Sequence, residues 1–423
     1  MTLTLPYIIV PVVLLYIVLQ RHLRFRRRDA LTSRFPTRAS LSQMTLSQAF
    51  DIHYTLNAIE FPTTIYQSIF FALFKTYGIP SISRLLLATT QLSSPRTASK
   101  RAADTGVLLT ELFLLPPDSP RVIAAFARVN YLHSSYRKAG KITNDDMLYT
   151  LSLFVLEPVR WVQRFEWREL SEVERAAMGM YWRWVGEGLG VDFAPVKEVT
   201  TTTTTTTEEG KAEGKEGKEG KWRDGLEFLR DLERWSTRYE ERAMVPAQSN
   251  AEVARGTTAI LLTNVPERWR GAAEEAIKAT MEPRLRRAMM FEEPTARAVW
   301  WMGMVLGLRK WVVGHLMLPR PEWMRWVWFE GPDEAGRYHA TQWTDHPWYV
   351  KPTWGRRWSF NAVLLKMVGG KLPGDDGDRF LPGGYKIPEV GPDYQKGKGG
   401  KEMEEDMAKL AGRTSSGCPF AAW

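Results

Sequence analysis

Two segments put ionisable side chains into otherwise apolar helical sequence: Lys100-Arg101-Ala102-Ala103-Asp104-Thr105 and Arg128-Val129-Asn130-Tyr131-Leu132-His133. Burying such groups is costly unless they are partnered, so their placement asks for a ligand. Arg101, Asp104 and Thr105 fall at i, i+3 and i+4, on one helix face with Leu108, Leu109 and Leu112. Asn130, His133 and Arg137 share a face of the second helix in the same way. A haem needs an axial nitrogen for its iron and a cation for its propionates, and an imidazole beside a guanidinium supplies both. On the residues alone, His133 stays open between that role and a histidine of the core or surface. His53 and His315 are the back-up ligands. None of the six histidines forms the His-x-x-His or Glu-x-x-His pattern of a di-iron protein, whereas a facial triad assembled by the fold remains open.

The elements that must position these groups read as helices. Apolar periodicity predicts helices over Leu41–Asn57, from Pro62 through Phe74, and, after the stop at Gly78-Ile79-Pro80, through Leu87. The first pocket helix spans Thr97–Leu115. The second opens with Ser119 as N-cap and Pro120 at its first position and ends at Gly140. Thr143 or Asn144 caps the next helix, which Pro158 kinks on its way to Phe165, and Ser171-Glu172-Val173-Glu174 starts another that runs to Gly186. Helical sequence resumes over 222–242, 251–262, 266–280 and 294–318. The apolar run Ala298–Leu318 reads either as a second membrane span or as a buried core helix, and Arg309 and Lys310 in its middle favour the core helix. Beyond Pro319 the chain is rich in Pro, Gly, Trp and Tyr, an extended tail draped over the core. The Trp residues at 161, 167, 182 and 184 serve packing by default, and would also line an apolar pocket for a prenyl chain.

Leu3–Gln20 carries no charged side chain and approaches the length of a spanning helix. No cation precedes it and Arg21, Arg24, Arg26, Arg27 and Arg28 follow, so it reads as an uncleaved anchor with the bulk of the chain cytosolic. Those five arginines supply much of the net charge of +9, which removes the case for nucleic-acid binding. The expected organisation is an anchor and basic flank over 1–28, a helical domain over 41–318 interrupted by a Thr/Glu/Gly/Lys insertion at 196–221, and a tail over 319–423. The insertion, with its eight consecutive threonines, has nothing to bury and is expected to be disordered. Cys418 is the one cysteine, so no intrachain disulfide forms; it lies too close to the C-terminus to be the haem thiolate of a cytochrome P450. Gly186-Glu187-Gly188-Leu189-Gly190 follows a helix rather than a strand, so it is no dinucleotide fingerprint, and no phosphate-cradling loop with its lysine is present.

The order and spacing of several strings carry a resemblance. They are Phe74-Lys75-Thr76-Tyr77-Gly78-Ile79-Pro80, the two segments above, Gly140-Lys141-Ile142-Thr143-Asn144, Leu148-Tyr149-Thr150-Leu151-Ser152, Phe165-Glu166-Trp167-Arg168, His346-Pro347-Trp348-Tyr349-Val350-Lys351-Pro352-Thr353 and Gly417-Cys418-Pro419-Phe420. Together they resemble the fungal ER-bound oxygenases of the MpaB family, which is related to the latex-clearing rubber oxygenases. That resemblance implies a haem b oxygenase, anchored in the endoplasmic reticulum membrane by a single pass, that splits a prenyl C=C bond of an isoprenoid secondary metabolite with dioxygen. It implies His133 as proximal iron ligand and Arg101, Asp104 and Thr105 as the haem-pocket motif, with Arg101 and Thr105 holding a propionate. Rubber oxygenases carry a lysine where this chain has Asp104, and an acid cannot do what an ammonium does near propionates. Asn130 either orients a neighbour at the cofactor or caps internal packing. Lys75 and Thr76 read as structural.

The expected protein is therefore all-α, one large helical haem-binding domain behind a transmembrane helix. Its partners would be a prenylated small molecule, dioxygen, the membrane and an electron donor, with no nucleic acid. Two other readings stay open: a membrane-tethered module that binds a lipid or a protein without catalysis, and a haem protein of peroxidase or dehydratase type.

Overall fold

The computed structural model describes residues 4–90, 97–198 and 222–412, and these form an all-α protein in which local caps set most helix starts. α1 (Thr4–Arg34) carries the apolar segment and its basic flank as one continuous helix. Its large side chains from Tyr7 to Leu19 are exposed, while Gln20 and Arg24 are buried against the body. The pattern predicts one helix from Leu41 to Asn57, but two form, α2 (Arg38–Ser42) and α3 (Leu46–Thr55). Thr45 causes the break: its hydroxyl accepts from Gln48 N while Gln48 Oε1 accepts from Thr45 N, which starts a new helix. A π-helical turn at Leu56–Glu60 leads into α4 (Pro62–Thr76), and α5 (Pro80–Ala88) begins on its proline.

The pocket helices are α6 (Ala98–Phe113) and α7 (Pro120–Lys138). Ser119 caps α7, and Gly140 at φ +65 supplies the left-handed turn after it. Reciprocal caps, Thr143 with Asp146 and Ser171 with Glu174, start α8 (Asn144–Phe165) and α9 (Glu172–Gly188). There follow α10 (Gly225–Ala243), α11 (Gln248–Leu261), α12 (Glu267–Thr280), α13 (Pro283–Ala288) and α14 (Ala296–His315). The insertion beyond Glu198, and Cys418 with its motif, lie outside the described residues.

α4 lies along α8, and α9 packs between α3 and α10. The α9–α10 crossing brings backbone against backbone. A Cβ on Gly225 would stand 2.0 Å from Ala176 O, and one on Gly179 would stand 2.0 Å from Gly225 O. Glycine is what permits that approach. Lys75 is fully buried on α4, with its Nζ 3.1 Å from Glu157, 3.1 Å from Glu240 and 3.2 Å from Glu282. Burial opposes its charge, but the three carboxylates outweigh burial and raise its pKa.

The expectation of a core helix over Ala298–Leu318 is corrected, because no residue of α14 is buried. Its cations are satisfied at the surface of the α8 end: Arg309 donates to Phe165 O and pairs with Glu166 at 2.8 Å, and Lys310 donates to Gln163 O. Charges met at the edge of the body did not have to be taken inside it.

The tail does wrap the core, though it is not wholly extended. It carries a two-residue antiparallel pair, Phe329–Glu330 with His339–Ala340, and three helices, α15 (Trp354–Trp358), α16 (Phe360–Met367) and α17 (Gly400–Ala411). Tyr349, Tyr385, Ile387 and Val390 pack on Val107 and Leu108 of α6. Arg128, fully buried on α7, donates to the carbonyls of Val390, Gln395 and Lys398 and so clasps the tail to the pocket helices.

Candidate functional site

A cavity of about 1050 Å³ lies between α4, α6, α7, α8 and the tail. That is at the top of the roughly 300–1,000 Å³ usual for small-molecule sites. Its wall is chiefly apolar, including Phe70, Phe74, Leu108, Leu109, Leu132 and Phe154. Among the residues singled out in the sequence, Arg101, Thr105 and His133 all line it. The i, i+4 spacing on α6 acts directly: Arg101 Nη1 donates to Thr105 Oγ1 at 2.5 Å, and that hydroxyl donates back to Arg101 O at 2.8 Å. The pair is therefore held as a unit. Among the described residues Arg101 makes no direct ion pair with a carboxylate, and Asp104, which feels its charge, turns instead to Lys100, so the guanidinium stands in an apolar wall with only Thr105 bonded to it.

His133 faces the same space. Its Nδ1 is buried with no hydrogen-bond partner, and no described group bonds its other ring nitrogen. Burial, followed by the positive charges of Arg101 and Arg137, pushes its pKa down to about 4. The imidazole is thus neutral at ordinary pH, with a lone pair free for a metal. An orphaned imidazole, an unpaired guanidinium and an apolar hollow of this size fit a haem, whose iron, propionates and ring would answer each in turn.

Asp104 and Asn130 do not line the cavity. Asp104 turns toward Lys100 at 3.0 Å and accepts from Tyr349 OH at 2.6 Å, binding α6 to the tail. Burial raises its pKa in spite of those partners. Asn130 gives its amide to Gly188 O and to Asp406, which joins α7 to α9 and α17. Both back-up histidines lie elsewhere. His53 is buried, stacked 4.5 Å from Tyr181, with burial pushing its pKa down to about 3. His315 is exposed, with Nδ1 on Trp311 O of its own turn. Of the four tryptophans, Trp161 alone lines the cavity, while Trp182 and Trp184 pack on Phe113 and Phe126.

His346, which the sequence offers only as the first residue of the His346–Thr353 string, also lines the cavity. Its Nδ1 lies 3.0 Å from Asp345 Oδ2 and 3.1 Å from Ser99 Oγ. A carboxylate and a hydroxyl on one ring nitrogen fix the orientation of the imidazole in the cavity wall. The signal in the sequence is the adjacent acid, Asp345, which the string starting at His346 leaves out. Among the described residues no group of three or more His, Cys, Asp or Glu is placed to hold a metal ion.

No protein-family model matches the chain. Three curated proteins resemble it over most of its length. ER-bound oxygenase mpaB' of Penicillium brevicompactum is 37% identical over 408 residues, covering 96% of this chain and 92% of that protein. ER-bound oxygenase mpaB of the same organism is 35% identical over 372 residues, 87% of this chain and 84% of that protein. The mpaB of Penicillium roqueforti is 39% identical over 282 residues, 66% of this chain and 88% of that protein.

Proposed function

The chain belongs to the MpaB family of ER-bound oxygenases, and on that premise we propose that it is a haem b oxygenase, held at the endoplasmic reticulum membrane by α1, that cleaves a C=C bond in a prenyl chain. One observation carries the reading: a partnerless imidazole, His133, and an ion-pair-free guanidinium, Arg101, share the wall of one large apolar cavity. His133 would hold the iron and Arg101, braced by Thr105, a propionate. Haem bound there would supply dioxygen activation, and the net change, C=C plus O2 giving two C=O fragments, balances in atoms and electrons.

The other residues bind, orient and exclude water. The apolar wall desolvates a prenyl chain and keeps bulk water from the reacting carbons. His346, held through its Nδ1 by Asp345 and Ser99, would present a fixed polar ring to the substrate in an otherwise apolar wall. Lys100, Tyr349 and Arg128 fix the tail that brings His346 to the cavity. α1 is the one helix among the described residues long and apolar enough to cross a membrane, and it puts the cavity where a lipid-soluble substrate accumulates.

The test is oxygen uptake by the haem-loaded, full-length protein in vesicles with an aryl compound bearing a farnesyl-type chain. Expected is one O2 consumed per alkene lost, with a pair of carbonyl products. Peroxide consumption without O2 uptake would favour a peroxidase-type protein, and substrate binding with neither would favour a binding module.

A further inference from the structure

α14 is a twenty-residue helix with no buried side chain, on a protein whose other long helices beyond α1 form a core. The body half-covers the stripe Ala298, Met302, Leu306 and Arg309, and, toward the C-terminal end, Lys310, Val312, Val313 and Gly314. On the outward faces Trp300, Trp301, Met304, Val305, Leu308 and Trp311 are each about half exposed, at 48–60%. α14 contains no acidic residue. A patch of this size and composition on a water-facing surface is a liability, so something covers it.

Its position says what. The end of α14 and the residues after it are tied to α1 at the level where the apolar segment gives way to arginines. Tyr16 OH donates to Leu316 O at 2.5 Å, Gln20 Nε2 to Gly314 O at 2.9 Å, Arg24 to Met317 O, and Arg27 Nη2 to Arg320 O at 2.7 Å. The Tyr16–Arg27 stretch of a spanning helix is where it crosses the headgroup layer. Leu316, Met317 and Leu318, all about half exposed, and Trp323, 83% exposed, therefore emerge at that layer, with Arg320 and Arg325 among them. Tryptophan beside cations is the composition of a membrane interface.

We infer that α14 and the segment from Leu316 to Trp323 lie in the interfacial layer of the bilayer that α1 crosses, forming a second, monotopic membrane contact. The apolar surface of α1 runs on into this patch, so a lipid surface covers both without a break, whereas a second copy of the chain would have to fit between α14 and the bilayer. The contact also has a use. Met302 and Leu306, on the inner stripe of α14, line the cavity, so the lipid-facing helix is itself part of the cavity wall. A prenylated substrate then passes from lipid to cavity along α14 without entering water.

The inference rests on α1 spanning the membrane, and the test separates the two. In full-length protein with Cys418→Ser, single cysteines replace Val13 on α1, Val305 or Leu308 on α14, and Glu404 on α17, which packs on α7. Each is labelled with a fluorophore, and the protein is reconstituted into phosphatidylcholine/phosphatidylserine vesicles carrying nitroxide-labelled acyl chains. Expected is strong quenching by lipid at positions 13, 305 and 308, with 305 and 308 most sensitive to nitroxides near the headgroup, and none at 404. Quenching at 13 with none at 305 and 308, together with quenching of those labels by aqueous iodide, would overturn the inference while leaving the anchor intact. Protection of 305 and 308 from both quenchers would show that another copy of the chain covers α14, which also overturns it. No quenching at 13 would remove the anchor, and the second contact with it.

Discussion

His133→Ala is expected to lose nearly all of its haem when purified from membranes, seen as disappearance of the Soret band relative to protein absorbance. The ring has no structural bond to lose, since none of the described groups hydrogen-bonds either nitrogen, so the substitution removes a ligand rather than a link in the fold. Burial and its cationic neighbours keep the imidazole neutral, which is the form that binds iron. Added imidazole is then expected to restore part of the absorbance, because the space vacated in the cavity wall admits a free ring. A variant that merely misfolds would not respond. Haem content equal to wild type would remove His133 from the site and direct attention to His346, the other histidine on the cavity wall.

Lys75→Met is expected to cost stability rather than activity in the folded fraction. Removing one member of a buried ion cluster leaves uncompensated charge, typically at a cost of about 3–5 kcal/mol. Glu157 keeps Arg160 at 2.9 Å, and Glu282 is partly exposed, so Glu240 is the carboxylate left most exposed to the loss, with Tyr149 OH at 3.2 Å as its remaining donor. The urea midpoint should fall by an amount that Glu240→Gln in the same chain partly recovers. The sign of the pH dependence follows. Burial opposes it, but Lys75 holds the Glu282 carboxyl below its unfolded value near 4.5, so the stability this pair contributes is present above that value and is lost in acid; the variant's deficit is therefore full near neutral pH and shrinks as pH falls. A deficit that is the same in acid as near neutral pH would show that shape, not charge, is what Lys75 contributes.

How far these features could be read in advance depends on how local their causes are. Ser119 with Pro120, Thr143 with Asp146, and Ser171 with Glu174 fix helix starts within four residues, and those starts are where the sequence places them. Arg101 and Thr105 were legible for the same reason, since one helical turn joins them. Asp104 shares their segment but is claimed by Tyr349 from the tail, and Asn130 by Asp406 from α17. Such partners are distant in sequence, and helical spacing says nothing about them. His346 was missed for that reason too: it reaches the cavity on a segment held by Trp348 on Ser99 and by Tyr349 on Asp104.

α14 shows a different limit. An apolar run with two cations in its middle is compatible with a core helix, a span or an interfacial helix, because periodicity measures how much surface wants covering and not by what. Only the positions of Phe165 O, Glu166 and Gln163 O, which answer Arg309 and Lys310 at the edge of the body, decide against the core. The break at Thr45 is the converse case, a local cap strong enough to split a periodic run that reads as one helix.

The most direct test of a haem held in the α6–α7 cavity by an imidazole is the absorbance spectrum of the reduced, full-length protein in vesicles, with and without carbon monoxide. A Soret band that shifts on adding carbon monoxide to the position of histidine-ligated haem, with a b-type haem recovered on extraction, is the predicted result. Protein that binds no haem after supplementation, or haem whose carbon monoxide form has the red-shifted band of thiolate ligation, would contradict it.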